Sequence, residues 1–359
     1  MLAIFTLIMS RNINNAIEIV FDIIKLNFDL SSTSVLPEDF YNKRYVNGNA
    51  NDARWLSHSK IIKHVAFNQA IKFAVLEFNA EFYFITIGLD DPDYLPTGII
   101  EEKINAGLLT LIVSEFELPI KNSISNLYLV ENILSQSVID PFYKGHDKAD
   151  LEKIFPNIYA MKITTGFGGD PKNIYQLIAF LITLNSKFIF LPFTNKTLDK
   201  IHELVACNST ILSYESITQA LFSSHFKFAF LDLYRCIELL YQLIHLDEAY
   251  TKLSLSIDKT DFLIAIENDL GWRPKERSSL IKIFNYTPNP FKLDLNKAIK
   301  DSVPGISNYG NWLYDLRCNI VHLKSIQKKF ELKDKDWEKI IYGISHMLCY
   351  WYNKYPDFN

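Results

Sequence analysis

The stretch Arg317-Cys318-Asn319-Ile320-Val321-His322 places a permanent cation and a proton carrier five residues apart. It lies within Trp312 to Leu323, an otherwise apolar run that reads as a helix. A guanidinium offers a planar fork of donors that matches a phosphate. An imidazole takes or releases a proton near neutral pH. Together these are the groups that phosphodiester cleavage needs, and they can work without a metal. Each residue of an α-helix advances by about 100°, so Arg317 and His322 are expected about 140° apart. Asp315, Asn319 and His322 share one stripe, and Leu313, Leu316, Ile320 and Leu323 form an apolar one. A two-fold partner brings a second copy of the pair to the same groove, so this spacing favours a composite site over a self-contained one. The competing reading is a plain surface arginine and histidine, each salt-bridged to a neighbour.

The elements around the motif are expected to be helical. Strand signals stop at Glu215, and Phe222, Phe226, Phe230, Leu233, Ile237, Leu240 and Ile244 recur at spacings of three and four. This predicts one long helical run over 216–246. Asp258 opens a second helix that Gly271 ends, and Pro274 starts a third that runs to about Asn285. The three prolines between Thr287 and Gly305 predict mostly loop. The motif helix is the fourth, and Asp334 or Asp336 caps a fifth that reaches about Tyr352. Five helices with short connections describe an up-and-down bundle.

Three stretches of this half resemble the HEPN superfamily, the higher eukaryote and prokaryote nucleotide-binding domains. Leu233-Tyr234-Arg235-Cys236-Ile237-Glu238-Leu239-Leu240-Tyr241 resembles the first HEPN helix with its buried Glu. Leu270-Gly271-Trp272-Arg273-Pro274-Lys275-Glu276-Arg277 is similar to a helix junction of bacterial members, and Tyr314 to His322 resembles the hallmark Arg-x4–6-His helix. The likeness covers residues 216–359. It implies a metal-independent endoribonuclease of toxin–antitoxin or anti-phage type, with its active site where two subunits meet. A polar residue, often Asn, commonly follows the motif arginine; here Cys318 stands there and Asn319 comes one later.

The resemblance assigns roles. His322 moves the proton of the 2′-hydroxyl or of the leaving 5′-oxygen, and Arg317 pairs with the scissile phosphate. Asn319 orients the phosphate or the imidazole, with Asp315 beside it on the same stripe. Glu238 holds Arg317 or His322 in place, although an intrahelical pair with Arg235 explains both residues equally well. Lys324, Lys328 and Lys329 are candidates to grip RNA backbone, and a solvated helix end explains them too. The implied products are a 2′,3′-cyclic phosphate and a 5′-hydroxyl. A homodimer is expected, with an antitoxin or defence partner and no cofactor or metal. The alternative is a non-catalytic module of the same bundle that binds RNA, a nucleotide or a protein partner, or a scaffold that only dimerises.

Residues 1–215 have another texture. Strands are expected at Ala3–Ile8, Phe73–Glu77, Phe82–Ile87, Leu108–Ser114, Leu127–Val130, Tyr159–Thr164 and Phe188–Leu191, with a hairpin at Asn79-Ala80. Helices are expected at Asn14–Leu26, Thr97–Ala106, Asn173–Leu184 and Lys196–Ala206, and a long loop over Ser31–Ser59. The chain therefore reads as α+β, a mixed α/β domain of sensing or regulatory role over 1–215 followed by an all-α bundle over 216–359. Thr164-Thr165-Gly166-Phe167-Gly168-Gly169-Asp170-Pro171 reads as a glycine loop before a helix capped by Asp170, and it lacks a Walker lysine.

Composition sets the outer limits. With 359 residues, 48% hydrophobic and 14% aromatic, the chain has ample core for two domains. Residues 1–216 hold 18 basic and 24 acidic residues (18 − 24 = −6), and residues 217–359 hold 19 and 17 (19 − 17 = +2). The C-terminal half is thus the better polyanion binder. Cys207, Cys236, Cys318 and Cys349 form no Cys-x-x-Cys pair, which points to a reduced, cytoplasmic protein. Met1 to Met9 is too short to span a bilayer and has no basic residue ahead of it, so no membrane association is expected. His58 and His64 lack a third nearby ligand for a metal. Lys43 and Arg44, with Tyr41 and Tyr45, read as a loop surface that could touch nucleic acid.

Overall fold

The fold is α+β. The computed structural model describes residues 12–27, 43–135, 142–254, 256–322 and 332–357, and the expected strand Ala3–Ile8, Tyr41 and the lysines at 324, 328 and 329 lie outside them. Contacts divide the chain into two compact units, Met1–Asp91 with Thr97–Phe167, and Pro92–Pro96 with Gly168–Asn359.

The first unit carries a five-stranded antiparallel sheet in the order β1-β2-β3-β5-β4. Its strands are β1 (Lys60–Ala66), β2 (Lys72–Phe78), β3 (Glu81–Ile87), β4 (Ile99–Glu102) and β5 (Ile158–Ile163). Asn79 and Ala80 turn the β2–β3 hairpin with φ of 52° and 62°, so Phe78 faces Glu81. Two positive φ values in a two-residue loop match the twist of the flanking strands. Helices α1 (Ile13–Leu26), α2 (Ala50–His58) and α3 (Ala106–Glu115) share one core cluster with Ala74, Leu76, Phe78, Tyr83, Ile85 and Ile87 of the sheet. A Cβ on Gly107 would lie 1.7 Å from the Asp52 carbonyl oxygen, so only glycine lets α2 and α3 approach this closely.

Several expectations for this unit are overturned. Leu108–Ser114 is not a strand but the body of α3. Every residue from Ala106 to Ser114 is buried, so no 3.6-residue alternation marks the helix. Thr97–Ala106 is not a helix: it holds edge strand β4, whose Ile99 pairs with Ile163 and Glu102 with Ala160. Leu127–Val130 is the helical turn α4 (Asn126–Leu129), which runs into a π-helical turn at Val130–Leu134. The expected loop Ser31–Ser59 contains α2, opened by an Asn49–Asp52 capping box. Helix α5 (Lys148–Ile154) precedes β5. Arg44 is buried and donates to the Leu134 carbonyl, so it is not a surface cation.

The second unit is helical. It comprises α6 (Ile174–Leu184), α7 (Asn195–Ala206), α8 (Tyr214–Leu221), α9 (Phe226–Glu238), α10 (Leu240–Leu253), α11 (Lys259–Leu270), α12 (Glu276–Tyr286), α13 (Asn289–Ser302), α14 (Tyr309–Val321) and α15 (Asp334–Lys354). The unit begins at Gly168, well before the boundary expected at 215/216, because α7 packs along α15 and α8 packs on α9. It is thus larger than a five-helix bundle. Helix α15 is the central member and packs on α7, α9 and α13. A Cβ on Gly343 would come 2.6 Å from Leu295 Cα, which keeps α15 against α13. Buried polar ties fix the same helix: Trp351 donates to Thr287 Oγ1 at 2.8 Å and Tyr352 to the Cys236 carbonyl at 2.7 Å.

Four more readings change here. The run 216–246 is broken, first at His225, which caps α9, and again at Leu239. Thr287–Gly305 is not mostly loop, for α13 fills it with a proline in its first turn, where no backbone N–H is needed. Phe188–Leu191 is not a strand and begins in a 3-10 turn, Ser186–Phe188. Asp170 does not cap α6: Asn173 does, accepting from Gln176 N at 3.2 Å.

Candidate functional site

Two helices of the second unit, α9 and α12, bring carboxylates to Arg317 on a third, α14. Tyr309–Val321 forms α14 because Asn308 caps its start and Trp312, Leu313 and Leu316 bury one face. That packing leaves Arg317 at the edge of the buried stripe. Its Nη2 donates to Glu238 Oε1 at 2.8 Å, from the last residue of α9. Its Nη1 lies 4.0 Å from Glu276 Oε2, in the first turn of α12. The guanidinium also stands 5.9 Å from the ring centre of Tyr234, a cation–π distance. Tyr234 is itself buried, and its hydroxyl shares a 2.8 Å hydrogen bond with that of Tyr241.

The electrostatics follow from this cage. Burial works against the Arg317 charge, but the Glu238 carboxylate outweighs it and holds the guanidinium above its ordinary range, with Glu276 assisting. Arg317 is only 20% exposed and Glu238 30%, so this pair is less screened than an ordinary surface bridge. Burial pushes the Tyr234 and Tyr241 phenols well up, so both stay neutral.

The remaining motif residues go elsewhere. His322 is the C-cap of α14, with φ −108° and ψ 104°, and is exposed. Its backbone N–H closes the last turn on the Cys318 carbonyl at 2.9 Å. The helix ends one residue before it, so the expected stripe Asp315–Asn319–His322 loses its last member and the 140° separation does not apply. Asn319 turns its amide back onto the Asp315 carbonyl at 2.7 Å. The Asp315 carboxylate pairs with Arg277, whose guanidinium lies 4.7 Å from the ring centre of Tyr314. Arg235 bonds Asp232 at 2.6 Å and Gln219 at 3.1 Å, so the alternative Arg235–Glu238 pair is not formed. Sequence reasoning missed Glu276 as a partner of Arg317.

A cleft of about 480 Å³ opens beside this cage. Glu238 and Glu276 line it, together with Arg235, Arg273, Gln242 and Glu267. Gln242 donates to the Glu267 carboxylate. Arg273 is exposed and makes no ion pair among the described residues. The cleft thus offers both guanidinium donors and carboxylate acceptors, a surface suited to a polar ligand.

Among the described residues no group of three or more His, Cys, Asp or Glu side chains is arranged to hold a metal ion. Among the same residues no helix is long and apolar enough to cross a membrane. No protein-family model matches the chain, and neither a curated protein nor a solved structure does.

Proposed function

We propose that the second unit is an HEPN-type endoribonuclease that cleaves RNA without a metal, acting as a toxin or anti-phage effector in the cytoplasm. The observation that carries this reading is the Arg317–Glu238 pair. It joins the two helices on which the resemblance rests, and it anchors the one permanent cation of the motif. In the proposed reaction His322 takes the 2′-hydroxyl proton and the 2′-oxygen attacks phosphorus. The bond to the 5′-oxygen breaks as the His322 of a second copy returns a proton to it. Arg317 faces the charge that develops on the phosphoryl oxygens. Exposure of His322 at the helix end leaves it accessible to such a partner. The first unit is assigned a sensing or restraining role, and an antitoxin or defence partner is its counterpart.

A second reading is favoured by one fact. Arg317 already has two carboxylate neighbours, and Asn319 is bonded to its own backbone. Such an arrangement suits a non-catalytic module whose mixed-charge cleft binds a nucleotide or a peptide. Incubating total RNA in EDTA with the wild type and with an Arg317→Ala/His322→Ala double variant separates the two. The nuclease reading expects cleavage by the wild type only. RNA left intact by the wild type supports the binding module, and equal cleavage by both proteins removes these residues from the site.

A further inference from the structure

Cys207 and Cys349 lie far apart in sequence and meet in the second unit. Cys207 is the C-cap of α7 and is half-buried, whereas Cys349 is buried on α15. Cys207 Sγ donates to the Glu203 carbonyl at 3.4 Å, and Cys349 Sγ donates to the Lys200 carbonyl at 3.6 Å. Lys200 and Glu203 lie on one turn of α7, so the two sulfurs sit over the same turn. Asn353, one turn further along α15, donates to the Cys349 carbonyl at 2.8 Å.

The two thiols are not equivalent. Proximity to the Cys349 thiol brings Cys207, which is partly open at the end of α7, below its ordinary range against the opposing effect of burial. The same proximity, with burial, pushes Cys349 up. A reachable thiol at a helix end beside a buried one on the facing helix is the arrangement of an attacking and a resolving cysteine.

We propose that Cys207 and Cys349 are a peroxide-oxidised dithiol that closes into a disulfide between α7 and α15. The Cys207 thiolate attacks a hydroperoxide oxygen, the O–O bond breaks, and Cys207 becomes a sulfenic acid while an alcohol or water is released. Cys349 sulfur then attacks Cys207 sulfur. The S–O bond breaks, the S–S bond forms, and the hydroxyl leaves as water with the Cys349 proton. Two thiols lose two electrons and the peroxide gains them. The bond would lock the C-terminal end of α7 onto the central helix.

The test uses the reduced full-length chain, treated with a stoichiometric amount of hydrogen peroxide and then alkylated under denaturing conditions. The expected result is that the intact mass read before alkylation falls by two hydrogens, that two of the four thiols then escape alkylation, and that digestion yields a Cys207–Cys349 cross-linked peptide. In Cys349→Ser, dimedone should label Cys207, the sulfenic acid having lost its resolving partner. Four alkylated thiols in the treated wild type, or a cross-link through Cys318 or Cys236, would overturn the proposal. The wild-type measurement needs no substitution, so it decides the matter even where a variant fails to fold.

Discussion

Arg317 on α14 and Glu238 at the end of α9 meet through a 2.8 Å hydrogen bond, although 79 positions separate them in sequence. The contact holds the motif arginine against the first helix of the resemblance and leaves His322 beyond the helix end. Two exposed groups would gain little from such a contact, but both of these are mostly shielded.

Removing one partner should therefore cost stability. Glu238→Ala and Arg317→Ala are each expected to lower the unfolding free energy by about 1–2 kcal/mol, as for hydrogen bonds to charged groups. Their double-mutant cycle should show a coupling of about 1 kcal/mol in urea denaturation. Additive effects would mean that the pair does not hold the helices.

Glu276 lies further off and is half exposed, so its effect is on charge and not on folding. Glu276→Gln should tighten RNA binding about fivefold at low salt, as expected for roughly 1 kcal/mol of repulsion removed at 4 Å in water. The gain should fade as salt rises past about 0.1 M. Filter binding across a salt series reads it, and an unchanged affinity at low salt would show that phosphate does not approach this carboxylate.

His146 gives a pH dependence in the first unit. It is buried, packs at 5.3 Å from the rings of Phe21 and Tyr143, and faces Arg44, Asp147 and Asp150. Burial first, and then Arg44, lower its pKa from 6.5 to about 4. The folded state thus resists the proton that the unfolded chain accepts. The stability contribution is complete above the ordinary pKa of 6.5 and is lost as pH falls toward 4. The loss is roughly 3 kcal/mol, since each pKa unit corresponds to about 1.4 kcal/mol. His146→Phe should flatten the stability profile across this window, and a slope equal to that of the wild type would contradict the assignment.

The hairpin turn offers a stabilising change. Ala80 adopts φ of 62°, where its Cβ is strained and glycine is not. Ala80→Gly should raise stability by about 0.5–1 kcal/mol. A lower thermal midpoint would show that the turn tolerates alanine at no cost.

What the sequence disclosed follows from where each signal resides. Strands β2, β3 and β5 are rich in Phe, Ile and Tyr and have punctuated ends, so their positions were legible. Helix α3 was not, because burial on all sides erases the amphipathic period. Edge strand β4 has four residues and is made by its partner β5, which local sequence does not encode. Helix α13 was hidden behind prolines, yet Phe291, Leu295, Ala298 and Ile299 show helical spacing and Pro290 falls in the permitted first turn. At the site, Glu238 as a holder of Arg317 was readable as one of two options. Glu276 was not, since a charge brought in from a separate helix leaves no periodic trace. The departure of His322 from the helix depends on the C-cap conformation, which its apolar flanks disguise.

The most direct test of the nuclease reading is the chemistry of the RNA ends. A synthetic RNA carrying a site that the wild type cuts in EDTA should yield a 2′,3′-cyclic phosphate and a 5′-hydroxyl by mass spectrometry. A single 2′-deoxy substitution at the scissile nucleotide should abolish the cut. Cleavage that survives the 2′-deoxy substitution, or products bearing a 5′-phosphate, would contradict attack by the 2′-hydroxyl and with it the roles given to Arg317 and His322.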